Sequence, residues 1–198
     1  MLTKRTLITE GKLETREIDG SPVIEGYFAV FGGIYDMGGG LKERIGNTAF
    51  HLDRDRDVRA LINHDTTLVM GRTIPKTLEL AVDARGLWGR IYVNPEDPNA
   101  MAAHARVKRG DVTQCSMGFN ILSRSFEYLD DGTTMITLDD IELWEVSICT
   151  FPAYSETEIT ARSKDRDAVL DMMAARAAEE AAEWREVMHS KLKGEKDA

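Results

Sequence analysis

The chain has 198 residues and a mass of 22.1 kDa, which suffices for one domain with a sizeable core and an appendage. Its hydrophobic content of 42% and charged content of 30% are typical of a soluble globular protein. A formal net charge of −9 argues against nucleic acid as the main partner, because a phosphate backbone attracts a basic surface.

Cysteine usage and hydropathy limit the chemistry and the compartment. The two cysteines, Cys115 and Cys149, are too few for a metal-ligand cluster, and so low a count is typical of a reducing cytoplasm. Residues 1–7 lack the apolar run of a signal peptide, and no stretch approaches the roughly 20 apolar residues of a membrane span. We therefore expect a cytosolic protein with no membrane partner, no metal and no other cofactor.

The first fifty residues carry strand and turn signals. A glycine-rich run at 36–40 indicates a flexible connection or, alternatively, a lid on the substrate side. It is not a phosphate-binding loop, because no Gly-Lys-Ser/Thr follows it. Strands are predicted at 4–9, 13–18 and 23–31, with a hairpin turn at Asp19-Gly20.

A short helix is predicted at 47–52, and a strand follows over 58–65 after a charged run. The apolar residues of this strand share a face with His64, which lies near its polar end. A histidine at a strand end can reach a neighbour across the sheet edge, where functional loops gather.

Two hairpins and a helix account for most of the remaining domain. The predicted elements are strands at 77–82 and 86–93, a helix at 99–108 that stops at Gly110, and long strands at 112–128 and 133–150. The long strands can pair over most of their length through the turn at 130–132. Together these elements predict an α+β protein in which strands dominate.

The first long strand alternates between two kinds of residue. Met117 and Phe119 lie on an apolar face, which we expect to enter the core, while Ser116 and Gly118 lie on the other face. Ser116 is therefore predicted to stand on an open face that a substrate can reach.

The second long strand alternates in the same way and offers an acid. Glu145 lies opposite the bulky face formed by Trp144, Val146 and Ile148, and it shares its own face with Leu143. Glu142 lies on the face of Trp144. Glu145 is thus the acid of this strand that points away from the bulky side chains.

From residue 163 the composition shifts to Ala, Glu, Arg, Lys and Met, with apolar residues at helical spacing. We divide the chain into a domain at 1–162 and a charged amphipathic helical tail at 163–198. The helix is expected to pack on its own domain, pack on a second copy of the chain, or tether the chain to an assembly.

Serine becomes a good nucleophile when a base takes its proton and a third group orients the base. Ser116, His64 and Glu145 can fill these three roles, since each lies on the polar side or at the end of a strand. Alternatives stay open at this point: Ser116 as an ordinary strand residue, Cys115 as the nucleophile, and Glu145 paired with Arg124. Acids are also plentiful enough for two-carboxylate glycoside hydrolysis.

A series of short motifs in order resembles the caudovirus prohead serine proteases of tailed phages. The resemblance covers roughly residues 20–160. The motifs are Gly26-Tyr27-Phe28-Ala29-Val30-Phe31, Asn63-His64-Asp65, Met70-Gly71-Arg72, Asp83-Ala84-Arg85-Gly86-Leu87, Ser116-Met117-Gly118-Phe119, Leu143-Trp144-Glu145-Val146-Ser147 and Thr150-Phe151-Pro152-Ala153.

The resemblance implies a fold similar to the herpesvirus maturational proteases (assemblin): a closed, largely antiparallel β-barrel flanked by a few helices. It implies a serine endopeptidase in which the family's serine falls on Ser116 and its histidine on His64. The acid is carried over to Glu145, with Glu142 and Asp65 as the other candidates.

The same resemblance implies where the protein acts and on what. Such enzymes act in the host cytoplasm inside the assembling procapsid. The expected partners are the major capsid protein and the scaffold, with the portal and a second copy of the chain as further candidates, the latter through the C-terminal helix. A non-enzymatic capsid-assembly module that keeps the protease fold is the competing interpretation.

Overall fold

The structure, a computed structural model, describes residues 5–9, 13–54 and 57–150, together with Asp171. The chain divides into two compact units, Met1–Tyr154 and Ser155–Ala198. Of the second unit only Asp171 is described, so the predicted helical tail at 163–198 lies, apart from that residue, outside the described residues.

The described residues are mainly strands, and the mainly-β α+β class is confirmed. The predicted strands appear in chain order, but the strands at 34–38, 41–45 and 65–72 were not predicted. The elements are β1 (Arg5–Thr9), β2 (Leu13–Ile18), β3 (Ser21–Val30), β4 (Ile34–Gly38), β5 (Leu41–Ile45), β6 (Arg59–Ile62), β7 (Asp65–Arg72), β8 (Leu78–Val82), β9 (Gly86–Tyr92), α1 (Pro98–Arg109), β10 (Gln114–Tyr128) and β11 (Thr134–Cys149).

The strands form two sheets, of seven and four strands. The larger has the order β1-β10-β11-β5-β4, with β6 on β11 and β7 on β6, and the smaller has the order β2-β3-β9-β8. Most pairs are antiparallel, but β11 pairs in parallel with both β5 and β6. The larger sheet therefore forks along β11, because β5 takes its first half and β6 its second half.

The predicted closed barrel is wrong for the described part of the chain. A barrel requires each strand to pass its hydrogen bonds to one neighbour on each side until the sheet meets itself. Here β11 has two neighbours on one side, and the strands separate into two sheets instead of closing.

The core is built from side chains of both sheets. A large apolar side chain that is fully buried stabilises the fold by about 1.5–3 kcal/mol, so this core holds β10 and β11 firmly in place. The largest fully buried side chains are Phe28, Phe119, Ile24, Leu41, Leu61, Leu78, Leu87, Ile91, Met117, Ile136, Leu138 and Ile141.

Helix α1 agrees with its prediction because the sequence supplies both ends. The Asp97 side chain accepts a hydrogen bond from the backbone N–H of Asn99 at 2.8 Å, and Pro98 occupies the first turn. Gly110 ends the helix in a left-handed conformation, with φ of 87°.

In the first half, the glycine-rich run serves as a connection: it makes the turn of the β4–β5 hairpin, where Gly39 and Gly40 take φ of 64° and 78°. The short helix predicted at 47–52 is wrong. Residues 47–52 form turns and no helix, and the carbonyl of Ala49 accepts a hydrogen bond from the Ile141 N–H of β11 at 3.0 Å. The backbone there is used to bind β11.

Candidate active site

Strand β11 is the centre of the candidate site, because it lies between β10 and β6. In its antiparallel pairing with β10, Ser147 lies opposite Ser116, and Glu145 lies opposite Gly118. Directly opposed residues project from the same face of a sheet, with Cα atoms about 4.5–5.5 Å apart. Ser116, Ser147 and Glu145 thus share one face.

His64 reaches this face from a tight turn. Strand β6 ends at Ile62 and β7 begins at Asp65, so the predicted strand to residue 65 is wrong, and Asn63 and His64 form the connection. Both residues have positive φ, 51° and 60°, a region in which Asn and His are enriched among the non-glycine residues.

The turn is fastened to the end of β11 by its asparagine. The Asn63 N–H donates to the carbonyl of Ile148 at 2.9 Å, and the Asn63 side-chain oxygen accepts from the Thr150 N–H at 2.9 Å. Because these bonds fix the turn, the next residue, His64, lies beside the face of β11 that holds Glu145.

The structure brings His64 and Glu145 into direct contact. His64 Nδ1 lies 2.6 Å from Glu145 Oε1, and the Glu145 side chain is only 3% exposed. A buried carboxylate requires hydrogen-bond partners. Of the three acids weighed from the sequence, Glu145 is the one that contacts His64 among the described hydrogen bonds.

A second hydroxyl, on Ser147, was not among the predicted site residues and completes this contact. Ser147 Oγ donates to Glu145 Oε2 at 2.6 Å and accepts from the backbone N–H of His64 at 3.2 Å. The spacing Glu-x-Ser on one strand was the available signal, since residues two apart project from the same face.

Ser116 is buried, so the predicted open face is wrong. Residues 115–120 are all buried, which means that both faces of this part of β10 are covered. The alternation predicted the sides correctly, since Ser116 lies opposite Ser147 while Met117 lies opposite Val146. It gave no information about what covers the polar side.

The sequence profile of the caudovirus prohead serine protease family matches residues 11–172. The chain belongs to this family. It is also 27% identical over 144 residues to the prohead protease of Enterobacteria phage HK97, an alignment that covers 70% of this chain and 59% of that protein. The chain thus spans less than two thirds of that relative. No solved structure matches, so the likeness to herpesvirus proteases stays a prediction.

In this member of the prohead protease family, a thiol lies beside the histidine. Cys149 Sγ is 3.7 Å from His64 Nε2, and Cys149 shares the face of Glu145 and Ser147. From the sequence, the alternative nucleophile was a different thiol, Cys115. Cys115 is opposite Ile148 on the core side, as predicted, and its thiol donates to the carbonyl of Tyr27 at 3.0 Å.

The other candidate acids are engaged elsewhere. The Glu142 carboxylate accepts from the Asn120 side-chain amide at 2.9 Å. Asp65 Oδ1 accepts from the Thr67 hydroxyl and backbone N–H, at 2.6 and 2.8 Å, and these bonds lower the pKa of Asp65. These two carboxylates stabilise local structure.

The alternative pairing of Glu145 with Arg124 is wrong. Arg124 lies opposite Leu138 in the β10–β11 register, seven residues from Glu145 along β11. At the usual rise of a strand this separation is about 23 Å, too far for an ion pair.

A β-bulge in β11 places Leu143 and Glu145 on opposite faces of the sheet. Gly118 is opposite Glu145, but Phe119 is opposite Leu143, so Trp144 is the extra residue of a β-bulge. The bulge shifts the alternation by one. Leu143 is buried and Trp144 is 46% exposed, whereas the sequence grouped Leu143 with Glu145 and Trp144 with Val146.

Two arginines lie in the row that extends from Glu145. Arg59 is next to Glu145 in the parallel register, and Arg72 is opposite Arg59 on β7. Asp57 joins them: it accepts from Arg72 Nε and Nη2 at 2.5 and 2.7 Å and from Arg59 Nη2 at 3.0 Å. The hydrogen bonds from Arg72 are the main reason why the pKa of Asp57 is lowered.

The described residues contain no group of three His, Cys, Asp or Glu side chains that could hold a metal ion. Two further histidines within 13–54 and 57–150 have other surroundings than His64: His51 Nε2 is 3.7 Å from Asp140, and His104 is buried in α1. Within those ranges no helix is long and apolar enough to span a membrane.

Proposed function

We propose that this chain is a serine endopeptidase of phage procapsid maturation, with Ser116 as nucleophile, His64 as base and Glu145 as the orienting acid. The observation that carries the proposal is the 2.6 Å contact between His64 Nδ1 and Glu145 Oε1, on the sheet face that also bears Ser116. Family membership supports the same reaction class.

The proposed chemistry follows from the tautomer that this contact favours. A proton on His64 Nδ1 donates to Glu145, which leaves Nε2 as the basic nitrogen. Nε2 takes the hydroxyl proton of Ser116 while Oγ bonds to the carbonyl carbon of the scissile peptide. The resulting imidazolium gives its proton to the leaving amine, and the C–N bond breaks. Water then releases the acyl group from Ser116, with His64 as base again.

The tetrahedral intermediate needs donors for its oxyanion, since losing such a donor costs about 10²–10³ in rate. Backbone amides at 116–118 and the guanidinium of Arg72 are the candidates. Arg72 already binds Asp57 through two nitrogens, so its position is fixed before substrate arrives.

Burial of Ser116 bears on how the enzyme is controlled. A side chain with 0% exposure can attack a peptide only after the covering groups move. We therefore expect slow reaction of the free chain with substrates and faster reaction during assembly. Such a delay suits an enzyme whose premature activity would destroy scaffold before the shell has formed.

The proposed substrates are the scaffold, or a scaffolding segment of the major capsid protein, and the protease itself. Action would take place in the host cytoplasm, inside the assembling procapsid. The capsid protein and scaffold are the proposed partners, with the portal and a second copy of the chain as further ones. The tail at 163–198 is a proposed self-cleavage or shell-docking segment.

Co-expression with the major capsid protein and scaffold tests this function. Wild-type chain should shorten one of these proteins, as seen by mass spectrometry of purified particles. Ser116→Ala and His64→Ala should both abolish cleavage, because members of a catalytic triad act as a unit. Equal cleavage by wild type and Ser116→Ala would contradict the proposal.

A second candidate function is a non-enzymatic capsid-assembly module, which the burial of Ser116 favours. It predicts normal particles and no shortened protein with wild type and with Ser116→Ala alike.

The thiol of Cys149 offers a different nucleophile for His64 Nε2, at 3.7 Å. That assignment predicts loss of cleavage in Cys149→Ala, while Ser116→Ala stays active.

A further inference from the structure

We propose that Ser147 is a positioning residue of this site. Its hydroxyl binds both the carboxylate of Glu145 and the backbone of His64, so that the imidazole is held in one orientation. The inference rests on the proposed function, and it adds a residue that does not itself touch the reacting atoms.

The hydrogen bonds of Ser147 fit a positioning residue and not a nucleophile. A serine hydroxyl has one proton and two lone pairs. The proton of Ser147 is donated to Glu145 Oε2 at 2.6 Å, and a lone pair accepts the His64 N–H at 3.2 Å. The basic nitrogen of His64, Nε2, faces Cys149 and not Ser147. Ser147 is thus bonded to the acid and is not placed for attack.

The carboxylate needs this bond to present a single oxygen to the histidine. Glu145 has two equivalent oxygens and rotates about its last torsion over a broad, two-fold profile. Ser147 holds Oε2, which leaves Oε1 directed at His64 Nδ1 at 2.6 Å. Both residues are almost fully buried, with exposed fractions of 0% for Ser147 and 2% for Glu145, so solvent does not readily replace the bond.

The histidine needs the same bond because it lies in a connection between strands. Residues of a two-residue turn lie outside the regular ladder, and the His64 N–H finds its partner in the Ser147 hydroxyl. One hydroxyl therefore fixes the backbone from which the imidazole extends and the carboxylate that the imidazole contacts. A change in either would displace the imidazole, whose Nε2 is the proposed base for Ser116.

Steady-state kinetics of Ser147→Ala provide the first test, with a peptide that spans the cleavage site mapped in the particles. We expect kcat to fall about ten- to hundred-fold with KM unchanged, since small misplacement of a catalytic group costs rate and not binding. Ser147→Thr, which keeps the hydroxyl, should recover most of the rate. Ser123→Ala, an exposed serine of β10, is the matched control and should behave as wild type.

A spectroscopic test separates this inference from the proposed function. In Ser116→Ala protein with ¹⁵N-labelled histidine, the proton on His64 Nδ1 should give a low-field NMR signal that is lost when Ser147→Ala is added and kept with Ser147→Thr. A signal and a kcat unaffected by Ser147→Ala would overturn the positioning role. If Ser147→Ala removes the signal but the wild-type chain cleaves no protein, the positioning role is retained and the proposed peptidase activity is refuted.

Discussion

Replacing Glu145 by glutamine is the perturbation whose outcome the structure defines most fully. The two side chains have the same shape, so the buried site should keep its packing. The carboxylate now serves two donors, with Oε1 facing His64 Nδ1 and Oε2 accepting from Ser147, both at 2.6 Å. An amide offers only one acceptor oxygen, so these contacts cannot both persist.

Two arrangements are open to Glu145→Gln, and both lower the rate. If the amide oxygen stays on His64 Nδ1, Ser147 must turn to accept, and the negative charge that stabilises the imidazolium is gone. If the amide nitrogen faces Nδ1, the ring takes the tautomer with its proton on Nε2 and cannot accept the Ser116 proton. The second case in a Ser-His-acid triad lowers kcat by about 10⁴. We expect a fall in kcat of about 10²–10⁴, which is about 3–5 kcal/mol of barrier.

The assay is cleavage of scaffold or capsid protein in co-expression, together with kcat on the mapped peptide. Glu142→Gln is the matched control, since Glu142 is on the same strand but binds Asn120. Its rate should stay within about two-fold of wild type, as for substitutions outside the main interactions. A normal rate for Glu145→Gln with an inactive Glu142→Gln would refute the assignment of the acid.

Three further changes test the fold and the turn that carries the histidine. Gly86→Ala should lower the melting temperature far more than Gly20→Ala, although both have positive φ, because a Cβ at Gly86 would overlap a carbonyl oxygen of β3 while none lies within 4 Å at Gly20. The hydrogen bond from the Thr133 hydroxyl is the main reason why the pKa of Asp131 is lowered to about 2, below its ordinary 3.8. Ionised Asp131 therefore stabilises the fold above pH 3.8, and this stabilisation is lost as the pH falls through about 2. The melting temperature of Asp131→Ala should therefore fall less than that of wild type over this acid range. Asn63→Val should cost more activity than Asn63→Gly, since glycine at least accepts a φ of 51°.

Eight of the eleven described strands and the helix could be predicted because their signals are local, whereas β4, β5 and β7 were missed. The cap at Asp97, the stop at Gly110 and the turn at 130–132 each act within a few residues. The sides of β10 were also predictable, because strict alternation in the run around Ser116 continues through the strand until the bulge.

Long-range features were not predictable from the pattern. The bulge at Trp144 depends on the register between β10 and β11, so alternation within β11 alone misassigned Leu143. The cover over Ser116 and the fork of the larger sheet likewise depend on which strands meet. His64 was recognised, but its placement by a left-handed turn and by Ser147 requires contacts between residues more than 80 positions apart.

The central claim is that Ser116 is the nucleophile activated by His64. Mapping the site of a serine-directed phosphonate, added while particles assemble, tests it most directly. Mass spectrometry of digested wild-type chain should find the adduct on Ser116, none in His64→Ala, and the same adduct in Cys149→Ala. An active wild type whose adduct lies on another residue, or an adduct that persists in Ser116→Ala, would contradict the account.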